Sequence, residues 1–85
     1  MKAYYVTEDS QNFFYVVRVS EIDADNQDGM TTVAGPVRPA NEAWRIAERR
    51  AGKNAVYTTL PDSLANVVED VTGERPARQA CWLVK

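Results

Sequence analysis

The stretch Pro39–Gly52, PANEAWRIAERRAG, constrains the fold more than any other, because it carries a helix pattern with a punctuation mark at each end. Pro39 suits the first helical turn, where its missing N–H is harmless, and Gly52 supplies the left-handed conformation on which helices end. Asn41 competes as the N-cap. On a helical wheel Ala40, Ala43, Trp44, Ala47 and Ala51 form one stripe with Ile46 at its margin, while Asn41, Glu42, Arg45, Glu48 and Arg49 face away. Small side chains let a helix sit close to a sheet, so the stripe predicts tight packing around one large anchor, Trp44.

The chain ahead of this helix is rich in strand formers. Ala3 to Val6 and Asn12 to Ser20 read as two strands of a hairpin joined by a polar link. Side chains alternate along a strand, so Phe13, Tyr15, Val17 and Val19 share one face of the second, and Phe14, Val16 and Arg18 the other. Two largely apolar faces imply a central strand. The polar run Glu21 to Gly29 ends in Asp-Gly, a turn signal, and leads by a long hairpin into a third strand, Met30 to Ala34, which Gly35-Pro36 is expected to stop.

After the helix, Asn54 to Thr59 reads as a fourth strand. Leu64, Val67, Val68 and Val71 follow the i, i+3, i+4, i+7 rule of a second helix that opens at Leu60-Pro61-Asp62-Ser63 and closes at Gly73. Arg78 to Val84 makes a last strand. The predicted order is βββαβαβ, an α+β fold of one mainly antiparallel sheet of about five strands with both helices on one face. The sheet's other face would then lie open, and a two-fold homodimer is expected to form through it. With 85 residues, 45% of them hydrophobic, and no linker or internal repeat, residues 1–85 are expected to be a single compact domain.

Composition removes several kinds of chemistry. The chain has no histidine, so Ser-His-Asp and Cys-His nucleophile pairs are impossible, and with one cysteine no nitrogen–sulfur zinc site can be assembled. Cys81, between Ala80 and Trp82, reads as a small buried apolar residue. Glycine-rich phosphate loops are missing. Asp23, Asp25 and Asp28 invite a calcium reading, but a loop starting at Asp23 has Asp28 where glycine is needed and Ala34 where glutamate is needed. No catalytic residue, metal or cofactor is therefore expected. No apolar run is long enough to cross a bilayer and no secretory leader pattern is present, so the expected setting is the cytoplasm, with no membrane partner.

Charge is the remaining signal. The formal net charge is −2, yet residues 38–53 carry five bases against two acids, while Glu21, Asp23, Asp25 and Asp28 crowd four acids into one loop. Such clusters steer association or imitate a phosphate backbone. Arg45 and Arg49, four apart, project from the helix together, with Arg38, Arg50 and Lys53 nearby. Val33 to Ala47, VAGPVRPANEAWRIA, resembles one half of the peptidoglycan-binding repeats of cell-division proteins; the rest of the chain differs from them, and no function is carried across.

The expected function is a non-catalytic protein-binding domain that acts by occupying a partner's surface, as a small adaptor or a protein inhibitor does. Its size and acidity would suit a phage or mobile-element inhibitor of a host nucleic-acid-handling complex, such as an anti-CRISPR protein. The expected partner-binding residues are Arg45, Arg49, Glu21, Asp23, Asp25 and Asp28. A nucleic-acid-binding domain using the basic helix face is the second reading. It is disfavoured by the net acidity of the chain.

Overall fold

The computed structural model describes residues 1–24 and 29–85. Its elements are β1 (Lys2–Glu8), β2 (Phe14–Ser20), β3 (Met30–Val37), α1 (Ala40–Ala51), β4 (Val56–Thr59), α2 (Asp62–Thr72) and β5 (Ala80–Val84). The five strands form one antiparallel sheet in the order β3-β2-β1-β5-β4, so the expected α+β fold and element order are what the chain adopts. β1 lies at the centre, paired along its whole length with β2, from Lys2 opposite Ser20 to Glu8 opposite Phe14.

The placement of the helices differs from the sequence reading. They cover opposite faces of the sheet. Alternate residues of the central strands divide into two cores: Ala3, Tyr5, Val17, Val19, Cys81 and Leu83 pack with Leu64, Ala65, Val67 and Val68 of α2. On the other side Tyr4, Val16, Trp82 and Val84 pack with Ala43 and Ala47 of α1. The physical reason is that β1, β2 and β5 are apolar on both sides, and a face left bare would expose a row of large side chains to water. Both helical connections run across the sheet to provide the cover, α1 over β1, β2, β3 and β5, and α2 over β2 and β3. The face expected to stay open for a homodimer is thus covered by α2, and its residues Ala3, Tyr5, Val17, Val19, Cys81 and Leu83 are all buried.

The small-residue stripe of α1 behaves as expected. Ala43 and Ala47 are fully buried, and Trp44 reaches both cores. The helix starts after Pro39 without a side-chain cap, so Asn41 does not serve as one, and the Gly52 N–H closes it on the Glu48 carbonyl. Gly52 has positive φ but an extended ψ of 175°, unlike Gly73, which ends α2 in the left-handed conformation. β3 does not stop at Gly35-Pro36. The register slips twice against β2, with Phe14 opposite Val37, Val16 opposite Ala34 and Val17 opposite Thr32, and the strand carries proline because it is an edge with bulges. Gly35 has φ +119°, and a Cβ there would lie 2.8 Å from the Phe14 carbonyl oxygen and 2.7 Å from Tyr15 Cδ1.

Candidate functional site

The start of α1 is fixed by Arg38. Its guanidinium lies 3.9 Å over the Phe13 ring and donates to the carbonyl oxygens of Gln11 (2.6 Å) and Asn12 (3.3 Å). These are the residues that turn β1 into β2. The same turn is held from within by Asp9, whose Oδ1 accepts the N–H groups of Gln11 and Phe13 and whose Oδ2 accepts the Tyr15 hydroxyl at 3.0 Å. The Phe13 N–H contributes most to holding the Asp9 carboxyl below its ordinary value, and bonding to Asp9 raises the Tyr15 phenol. Arg38 therefore serves as a clamp between the turn and the helix entry, apart from the basic helix face with which its position in sequence grouped it.

Arg45 and Arg49 are brought together as expected. Both are exposed on α1 and, with Glu48, Gly52 and Lys53, line one open hollow of about 450 Å³. Arg45 Nη1 lies 3.4 Å from Glu42 Oε2, one helical turn back, and this exposed pair restrains Arg45 without neutralising the face. Glu21 and Asp23 also come together, in a different hollow of about 410 Å³ that Lys2, Arg18 and Lys85 share. That surface is mixed in sign, in contrast to the uniformly acidic loop the sequence suggests. Asp25 and Asp28 lie outside the described residues.

Sequence reasoning missed Tyr57 and Trp82. Antiparallel pairing of β4 with β5 sets Tyr57 directly opposite Trp82 on the α1 side of the sheet. The Tyr57 ring packs tilted against Trp82, with centroids 5.1 Å apart, and edge-on to Trp44 at 5.7 Å. Such tilted and T-shaped contacts satisfy the ring quadrupoles. Tyr57 nevertheless remains 55% exposed. The three rings, with Asn41, Arg45 and Glu48, line a groove of about 450 Å³ that adjoins the basic hollow through Arg45 and Glu48. The only hint in sequence is that Tyr57 and Trp82 each fall in a short strand; their contact depends on a register that the intervening helix sets.

Cys81 is fully buried on the α2 side, and burial pushes its thiol pKa up, which disfavours the thiolate that a nucleophile needs. No helix among the described residues is long and apolar enough to cross a membrane. No protein-family model matches the chain, and neither a known protein nor a solved structure matches it.

Proposed function

We propose that the chain is a non-catalytic protein-binding domain that acts by occupying a partner's surface, as a small adaptor or a protein inhibitor does. One observation carries this reading: Trp44, Tyr57 and Trp82 form a half-exposed aromatic face bordered by Arg45 and Arg49. Trp, Tyr and Arg dominate the binding energy of protein interfaces, because they combine large contact areas with polar handles. We place this activity in the cytoplasm, where the size and charge of the chain suit a phage or mobile-element inhibitor of a host nucleic-acid-handling complex, an anti-CRISPR protein being one example. The test is capture from a lysate of the source organism on the immobilised full chain. A protein retained by the wild type and released by Tyr57→Ala is the expected result, and no retained protein refutes the reading.

A second reading has an observation of its own. Arg45, Arg49 and Lys53 share a hollow beside three aromatic rings, a combination that also suits single-stranded nucleic acid. The salt dependence of binding to a fluorescent oligonucleotide decides it: affinity that falls steeply with salt supports the basic helix as a phosphate contact, and no binding at low salt removes it.

A further inference from the structure

The sheet has two edges, β3 and β4, and they differ. An unprotected edge offers unpaired N–H and C=O groups to any extended chain, and proteins blunt edges with proline, bulges or charge. β3 carries Pro36 and two register slips. β4, VYTT, has neither charge nor proline, and its register runs unbroken from Val56 opposite Leu83 to Thr59 opposite Ala80. Val56 and Tyr57 are 54% and 55% exposed.

The direction of the free groups follows from one hydrogen bond. The Leu60 N–H donates to the Gln79 carbonyl at 2.7 Å, so Leu60 faces β5. In an antiparallel ladder alternate residues face the same neighbour, so Thr58 and Val56 also bond toward β5, while Tyr57 and Thr59 turn their N–H and C=O groups outward. An added strand would bond to those two residues. Its side chain opposite Tyr57 would stand about 4.5–5.5 Å away on the same face, at the mouth of the groove lined by Trp44, Tyr57 and Trp82.

Charge selects the occupant. Arg45 and Glu48 border that groove, and Arg49 and Lys53 stand in the adjoining hollow, leaving a positive excess beside the edge. A second copy paired antiparallel through β4 would be related by a two-fold axis perpendicular to the sheet. Both α1 helices would then lie on the same side of the sheet, bringing like-charged arginines toward each other. An acidic segment meets the opposite sign.

We propose that the outer edge of β4, together with the Trp44–Tyr57–Trp82 groove, docks an extended acidic segment of a protein partner as an added strand. The segment bonds to the backbone of Tyr57 and Thr59, sets an apolar side chain against the Tyr57 ring and directs carboxylates to Arg45 and Arg49. The inference rests on the protein-binding reading and narrows it to one surface and one partner chemistry.

The probes are short peptides selected from a displayed random library on the full chain. Enriched peptides are expected to be acidic with apolar residues at alternate positions. Because Trp44 and Trp82 are the only two tryptophans, binding should shift the intrinsic emission. Thr59→Pro removes an outward N–H without breaking a bond to β5, and Arg49→Glu inverts a charge that has no ion-pair partner among the described residues. Each should weaken binding about tenfold or more. A thermal scan checks the fold, and Tyr57→Ala replaces Thr59→Pro should the proline variant unfold. Peptides that are not acidic, or that bind these variants as tightly as wild type, overturn the proposal. So does emission that responds to a single-stranded oligonucleotide alone, or self-association that Thr59→Pro abolishes. A lysate protein captured equally by wild type and Thr59→Pro overturns the site and leaves the protein-binding reading standing, whereas capture of no protein overturns both.

Discussion

Leu64→Ala tests the assignment of α2 to its own face of the sheet. Leu64 is fully buried among Tyr5, Val17, Val19 and Leu83, and it is the largest of the fully buried side chains. The substitution removes three carbon groups, worth roughly 2.4 kcal/mol at about 0.8 kcal/mol each. The cavity left behind raises the loss to about 3–4 kcal/mol. At about 0.05–0.15 kcal/mol per residue, a chain of 85 residues has roughly 4–13 kcal/mol in total, so this one change removes a large share. The midpoint of a thermal scan should fall by about 12–32 °C. Urea denaturation followed by circular dichroism measures the loss, with Val71→Ala, half-exposed on the same helix, as a control expected within about 0.5 kcal/mol of wild type. Double mutants then locate the helix. Combined with Val19→Ala, which shares its core, Leu64→Ala should depart from additivity by about 0.5 kcal/mol or more, whereas with Val16→Ala, across the sheet, the effects should add. Trimethylamine oxide keeps the double mutants folded for the measurement. Coupling to Val16 that exceeds coupling to Val19 would refute the two-sided arrangement.

Two further outcomes follow from the β1–β2 turn and the β3 edge. The Asp9 carboxyl, held low chiefly by the Phe13 N–H, should titrate below the ordinary aspartate value in a carbon-detected NMR titration, and Tyr15→Phe should bring it part of the way back. The folded pKa lies below the unfolded one, so its contribution to stability is complete above about 3.9 and is lost as pH falls through the folded value; an ordinary value in the native protein would contradict the turn geometry. Gly35→Ala should cost about 3 kcal/mol, since it combines strain at φ +119° with a clash against the Phe14 carbonyl. Gly52→Ala, also at positive φ but with nothing within 4 Å, should cost about 1–2 kcal/mol. Equal losses in urea titrations would show that the Gly35 contact with β2 is not tight.

The order of elements was legible because each had a local signature. Alternation marked β2, the alanine stripe and its flanking Pro39 and Gly52 marked α1, and the Leu64–Val71 spacing with Gly73 marked α2. Arg45 and Arg49 were legible as a pair for the same reason, since residues four apart on a helix must share a face. The side of the sheet that each helix covers was not written in either helix. It was implied by the central strands, most plainly β2, where Phe14 and Val16 point one way and Val17 and Val19 the other, and two helices were present to meet the need. The path of β3 through Gly35-Pro36 depended on its being an edge, which is a property of the whole sheet. The meeting of Trp44, Tyr57 and Trp82 required the β4–β5 register, set by long-range pairing that no local pattern encodes.

Covering both faces has a consequence for recognition. A small sheet with a helix on each side has no broad flat surface left to offer, and its helices turn mostly charged residues outward, where isolated exposed pairs such as Arg45–Glu42 contribute little binding energy by themselves. What remains is the perimeter. At the β3 end, proline and bulges disrupt the free edge. At the β4 end the edge runs in register, and there the chain places half-exposed Tyr57, with Trp44 and Trp82 behind it and Arg45 beside it. In the proposed docking, backbone groups supply affinity without regard to sequence, the ring groove reads one apolar side chain, and the arginines reject a basic segment. Selectivity at this edge therefore rests on the ring groove and the arginines, and removing either should broaden the range of segments accepted before it abolishes binding.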